Sequence, residues 1–224
     1  MGVKINGKII SHLFYADDLV LIAENEEDLQ HLLTLLSKWC DINNMKINTD
    51  KSKIMHFRPP SKQKTNFNFK CNDDVMECVE SYRYLGLMLT DTLDYNVTAK
   101  HVAQSATRAL GLIIAKFKAL GGMPYEVFSK LYEACVWPTI SYGAAIWGTR
   151  EFSCINAVQH RAARFFLGVG KYTPNAAVNG DIGWTPPIVK QWKAFITHWI
   201  RLSNMDTNRL NNLMFRAISY HNKC

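Results

Sequence analysis

Two adjacent carboxylates, Asp17 and Asp18, are the residues of this chain best placed to do chemistry. Apolar residues lead into them (Leu13-Phe14-Tyr15-Ala16) and out of them (Leu19-Val20-Leu21-Ile22). As a bare dipeptide, Asp-Asp is an ordinary polar turn. Between two apolar strands, however, neighbouring carboxylates repel each other and weaken a plain hairpin. A divalent cation offsets that repulsion. Magnesium takes oxygen ligands, usually one or two carboxylates together with phosphate oxygens. In two-ion phosphoryl transfer, one ion activates the attacking hydroxyl and the other stabilises the leaving oxygen.

The elements that must position these carboxylates can be read from periodicity. Val3 and Ile5, then Ile9, Ile10, Leu13 and Phe14, read as strand, with Asn6-Gly7 as a hairpin turn between them. The run from Leu19 to Ala23 is a second strand, which puts both carboxylates at a hairpin tip. A helix follows: Asn25 caps it, Glu26, Glu27 and Asp28 suit its first turn, and Leu29, Leu32, Leu33, Leu36, Trp39 and Cys40 keep helical spacing. Asn43-Asn44 ends it. Short strands are expected at 45–48 and 53–57, then an exposed connection over 59–66. Phe67, Phe69 and Cys71 alternate, as do Val75, Glu77 and Val79, across a turn at 72–74; residues 82–89 read as another strand pair.

From there the pattern is helical. Val102, Ala106, Ala109, Leu110, Ile113, Ile114, Phe117 and Leu120 share one face, stopped by Gly121-Gly122. Pro124 opens a helix carrying Val127, Phe128, Leu131, Tyr132 and Cys135, which Pro138 interrupts before 140–147. Residues 153–167 form a helix with Ile155, Val158, Ala162 and Phe165 inward and Gln159, Arg161 and Arg164 off that stripe. A helix after Pro186-Pro187 carries Trp192, Phe195, Ile196 and Trp199, and a last one Leu210, Leu213, Met214 and Ala217. The spacing of Trp137, Trp147, Trp184, Trp192 and Trp199 points to core positions.

Composition narrows the classes. Over 224 residues the chain is 48% apolar, 12% aromatic and 20% charged, which excludes a disordered tail, a collagen-like fibre and a coiled-coil rod. No apolar run approaches the roughly 18 residues of a membrane span. The six cysteines form no C-x-x-C pair, so a zinc ribbon is not indicated and reduced, buried thiols are expected. The net charge of +7 is unevenly distributed. Residues 1–95 hold 11 Lys and Arg against 14 Asp and Glu, net −3; residues 96–224 hold 15 against 5, net +10. Two modules are indicated, with a boundary near residue 95. The basic one either faces a polyanion or presents a solvated surface.

Phe14-Tyr15-Ala16-Asp17-Asp18 resembles the catalytic hairpin of reverse transcriptases, especially those of non-LTR (LINE-type) retrotransposons. Trp39-Cys40 followed by the run from Met45 to Lys53 is similar to the next palm element of that family, and Tyr84-Leu85-Gly86 to its primer-grip hairpin. Ser141-Tyr142-Gly143, Trp147-Gly148, the run from Gln159 to Arg164 and Gly183-Trp184-Thr185-Pro186 resemble its helical thumb region. The resemblance implies an α+β chain: residues 1–95 a partial polymerase palm, residues 96–224 an all-helical thumb-like and C-terminal region. It implies RNA-directed DNA polymerisation with two Mg2+ ions, an RNA template and DNA primer duplex, and deoxynucleoside triphosphates. Asp17 would be a direct metal ligand, with Asp18 a weaker or indirect one. Tyr15 would lie against the primer end, and Tyr84, Leu85 and Gly86 would position its backbone. Lys51 matches a lysine that protonates the pyrophosphate leaving group; its position equally suits an exposed turn. Arg161 and Arg164, one helical turn apart, are the foremost phosphate contacts, ahead of Lys116, Lys118 and Lys171. Copying at chromosomal DNA implies an intracellular, nuclear setting.

The family's third palm carboxylate, its nucleotide-checking helix and its basic fingers belong upstream of the hairpin and have no counterpart here. The chain is therefore expected to be a C-terminal palm and thumb fragment that does not polymerise alone. The alternative is a basic nucleic-acid-binding module, without catalysis, derived from such an element.

Overall fold

The computed structural model describes residues 1–221, and Cys224 lies outside them. The chain divides into two compact units. One comprises Met1–Tyr82, Thr90–Leu93 and the C-terminal residues from Leu202; the other comprises Arg83–Leu89 and Asp94–Arg201. Short antiparallel strand pairs dominate the sheet content and helices the rest, so the class is α+β.

The first unit opens with two hairpins in succession. Strands β1 (Val3–Ile5) and β2 (Lys8–Ile10) pair antiparallel, Val3 opposite Ile10. Asn6 and Gly7 between them both take positive φ, 47° and 81°, as the Asn-Gly turn requires. Strands β3 (His12–Tyr15) and β4 (Asp18–Leu21) form the second hairpin. Helix α1 (Glu26–Ile42) begins where Asn25 accepts a hydrogen bond from the Asp28 amide at 2.8 Å, with three acidic residues in its first turn. Its Leu33 packs with Ile54, Phe69, Cys71 and Met76 in a small core, while Trp39 is half exposed. Burial pushes the Cys40 thiol pKa up, as expected of a buried reduced cysteine.

The strands expected at 45–48 and 53–57 do not form. Asn48 instead organises a turn: its side chain accepts from the Lys51 amide and its carbonyl from the Ser52 amide. A short polar side chain that offers the backbone a local partner competes with strand pairing. What remains is one parallel bridge between Ile54 and Cys78, and the ladder expected across 67–79 shortens to β5 (Lys70–Cys71) and β6 (Asp74–Val75). Backbone without a ladder needs other ties. Arg58 supplies one, an ion pair to Asp91 at 3.0 Å with both side chains nearly buried, backed by a bond from the Arg58 amide to the Asp91 carbonyl. Near the other end of the chain, the Asn6 side chain donates to the Leu213 carbonyl in the last helix, α9 (Leu210–His221).

The second unit is built on α2 (Tyr95–Ala119), which turns Ala99, Val102, Ala103, Ala106, Leu110 and Ile113 into the core. Alanines let the neighbouring backbone approach closely. The helix that packs on it is α6 (Ser153–Leu167), contributing Ile155, Val158 and Ala162. Gly168 ends α6 in the left-handed conformation, φ +67°. Gln159, placed off the inward stripe by spacing, is only 1% exposed and donates to the Thr185 carbonyl at 3.2 Å. That bond satisfies the nitrogen of the buried amide, while its Oε1 has no hydrogen-bond partner among the described residues.

Between these helices lies a run that proline was expected to break. After α3 (Tyr125–Leu131) comes a π-helical turn (Tyr132–Val136), then α4 (Trp137–Ser141), which contains Pro138. The widened turn absorbs the missing N–H, so the helix passes the proline and ends only at Tyr142 and Gly143. Beyond are α5 (Ala144–Trp147), α7 (Asn175–Ile182) and α8 (Pro187–Ser203). Trp147 is buried, and Trp184 stacks on Tyr132 with centroids 4.4 Å apart and donates to Ser129. Trp192 and Trp199 depart from the expected core placement and are half exposed on α8, whose buried residues are Pro187 and Gln191.

Candidate functional site

Register places the carboxylates. The β3–β4 ladder closes with Tyr15 opposite Asp18, leaving Ala16 and Asp17 as a two-residue loop. Asp17 therefore stands at the tip, while Asp18 is the first residue of β4 rather than a second tip residue. Ala16 takes φ +53°. A non-glycine residue there is strained by roughly 1–2 kcal/mol. Asp17, Asp18 and Tyr15 are all exposed, and among the described residues neither carboxylate takes a hydrogen bond or an ion pair. Two neighbouring unpartnered carboxylates, one on a strained two-residue loop and one at the start of the next strand, suit a cation.

The fit to magnesium is partial. The hairpin can supply the one or two carboxylates that a single magnesium ion takes from protein. Among the described residues no three His, Cys, Asp or Glu side chains stand together as a metal-binding group. The donor set of a two-ion centre is thus not present in them.

Lys51 lies in the Asn48 turn, its side chain exposed. Its amide donates to Asn48, and its carbonyl accepts from the Tyr82 hydroxyl at 2.7 Å.

Tyr84, Leu85 and Gly86 sit where β7 (Ser81–Tyr84) turns into β8 (Leu87–Thr90). Leu85 and Gly86 both have positive φ, 45° and 84°. Tyr142 and Gly143, far along the chain, and Thr98, ten residues on from Met88, hold this turn. The Tyr142 hydroxyl donates to the Leu85 carbonyl at 2.7 Å, and a Cβ on Gly86 would lie 3.2 Å from the Tyr142 ring. The Thr98 hydroxyl donates to the Met88 carbonyl at 2.7 Å. Gly143 has φ +62°, and a Cβ there would meet the end of the Leu87 side chain at 2.6 Å, so another residue would be strained and would displace Leu87. Tyr142 lies in the Ser141-Tyr142-Gly143 motif, and nothing in its spacing signals this contact with Leu85.

On α6 the two arginines differ. Arg161 is exposed. Arg164 is half-buried and already committed, donating to the Thr173 carbonyl at 2.9 Å and to the Asn175 side chain. It is thus first a tether for the loop after α6. Both line a surface cleft of about 640 Å³ with Ser153, Asn156, His160 and Lys171. Burial, reinforced by the Arg164 charge, holds the His160 pKa below the ordinary histidine range.

Residues 4–89 match the family model described as reverse transcriptase (RNA-dependent DNA polymerase). The chain is 24% identical over 150 residues, 65% of its length and 51% of the relative's, to an uncharacterised transposon-derived protein of Caenorhabditis elegans. It is 23% identical over 177 residues, 75% of its length and 20% of the relative's, to a Drosophila melanogaster protein named as the probable RNA-directed DNA polymerase from transposon BS. The chain thus spans about half the length of the first relative and a fifth of the second. No solved structure matches it. Residues 4–89, with the Asp17-Asp18 hairpin inside them, are thus similar to reverse transcriptases, and both of these relatives are transposon proteins.

Proposed function

We propose that this chain is the palm and thumb portion of a non-LTR (LINE-type) retrotransposon reverse transcriptase. The β3–β4 hairpin carries the reading, with Asp17 on the loop and Asp18 facing Tyr15 at the first ladder position. Magnesium, when bound, supplies the positive charge that favours nucleotidyl transfer. Asp17 and Asp18 give it carboxylate oxygens, Tyr15 lies beside the primer end, and Lys51 offers a proton to departing pyrophosphate. Leu85 and Gly86 hold the primer backbone, and Arg161 meets template–primer phosphates. The substrates are an RNA template, a DNA primer and deoxynucleoside triphosphates.

Two carboxylates do not complete the two-ion centre, so the isolated chain is not expected to extend a primer. The test is primer extension on an RNA template with magnesium. The chain is assayed alone and fused at its N-terminus to a carboxylate-bearing palm strand from a related polymerase. Extension by the fusion, reduced at least about a hundredfold by Asp17→Asn, supports the reading. Extension that survives Asp17→Asn refutes it. A second reading, a binding module without catalysis, is favoured by the incomplete carboxylate set together with the basic cleft on α6. An inert fusion that still binds an RNA–DNA hybrid, with affinity falling as salt rises, selects it.

A further inference from the structure

We infer that the α6 cleft and the loop after it form a site for single-stranded nucleic acid, with Tyr172 as the base-stacking platform and Arg161 and Lys171 as the phosphate contacts. The inference rests on the nucleic-acid reading above, which puts Arg161 on template–primer phosphates, and adds a single-strand contact at the loop beside it.

From Ser153 to Asn175 the sequence has three cationic residues, Arg161, Arg164 and Lys171, and no carboxylate. The nearest, Glu151, accepts a hydrogen bond from the Asn156 side chain. This stretch therefore carries an excess of positive charge, with Glu151 the carboxylate beside it and Ser153, Asn156, His160 and Asn175 lining the cleft. Tyr172 is 88% exposed, the most exposed large apolar side chain among the described residues. It does not pack on the core, yet its loop is tied down. Arg164 bonds Thr173 and Asn175 on one side of it, and the Thr173 amide reaches back to the Gly170 carbonyl on the other. The Lys171 ammonium sits 4.8 Å from the centre of the Tyr172 ring. A cation and an aromatic face are thus held together at the edge of a basic cleft.

That combination distinguishes strand forms. A duplex offers phosphates, but its bases are stacked on one another inside the helix, and an isolated surface tyrosine has no base to stack on. A single strand offers both, and stacking on an aromatic side chain tolerates any base sequence. The phosphate contribution carries salt dependence.

The test measures fluorescence anisotropy of two probes with the full chain: a labelled twelve-nucleotide oligothymidylate and a twelve-base-pair RNA–DNA hybrid. Tyr172→Ala should weaken the oligothymidylate about tenfold while leaving the hybrid within about twofold. Tyr172→Trp should restore binding. The pair Arg161→Gln and Lys171→Gln should flatten the salt dependence of the single strand by about 0.7 in slope for each cation removed. Unchanged oligothymidylate affinity in Tyr172→Ala, or equal loss on both probes, overturns the inference. The two readings also fail separately. A Tyr172-dependent single-strand signal without hybrid binding removes the duplex role and keeps this site. Hybrid binding without any oligothymidylate binding does the reverse.

Discussion

The Tyr142 hydroxyl donates to the Leu85 carbonyl at 2.7 Å, joining two residues 57 positions apart. Leu85 is at positive φ, a conformation its side chain disfavours, and the bond holds it there. Tyr142→Phe removes the bond and keeps the ring. It should cost about 1 kcal/mol in chemical denaturation and speed hydrogen exchange at the Gly86 and Leu87 amides. Gly86→Ala should cost at least as much, because its Cβ adds crowding against Tyr142 to the left-handed strain.

Ala16 stands at φ +53° immediately before the catalytic candidates. Ala16→Gly removes left-handed strain and adds unfolded-chain entropy, so the net gain should be about 0.5 kcal/mol. Ala16→Val should lose about 1 kcal/mol or more, since a branched Cβ is worse at that φ. Equal melting temperatures for the two variants would exclude a strained loop.

The Arg58–Asp91 pair is nearly buried, and it ties backbone that no strand ladder supports. Asp91→Ala leaves a guanidinium with no countercharge in a dry place. The expected loss is about 3 kcal/mol, read from urea denaturation of the first unit. Loss below about 1 kcal/mol would mean that water reaches the pair.

Tyr132 is fully buried, its hydroxyl has no hydrogen-bond partner among the described residues, and burial pushes its pKa well above the ordinary value. Tyr132→Phe should therefore stabilise the second unit by about 1 kcal/mol while preserving the stack on Trp184. Destabilisation would reveal a bound water or other partner.

The lowered pKa of His160 sets a pH dependence. Above the ordinary histidine value of about 6.5, the group is neutral in both folded and unfolded chains. As pH falls from there through the lower folded value, the unfolded chain takes up the proton first, so stability declines across that window. Denaturation midpoints at pH 7.5 and pH 5 should differ, and His160→Gln should narrow the gap.

Local pattern was enough for much of this fold. Asn25, the acidic first turn and the leucine spacing set α1, and the stretch 153–167 with Gly168 behind it matches α6. Asn6-Gly7 made its hairpin, and Asp17 stands at the loop its neighbours indicated. Each of these depends on residues within a turn or two of one another. The departures occur where partners are distant or alternatives compete. Asn48 drew residues 48–52 into a turn, a π turn carried the helix past Pro138, and Gln159 found the Thr185 carbonyl.

The sequence by itself determined the chemistry on offer: adjacent carboxylates between apolar strands, a basic second half, and the reverse-transcriptase resemblance. Only the tertiary structure decided how that chemistry is presented. It put Asp18 in the ladder opposite Tyr15, committed Arg164 to its own loop while leaving Arg161 exposed, and made Tyr142 the clamp on Leu85. The reason is range. Helix caps, turns and periodicity act over a few residues, whereas register, burial and side-chain commitment depend on which distant backbone groups arrive alongside.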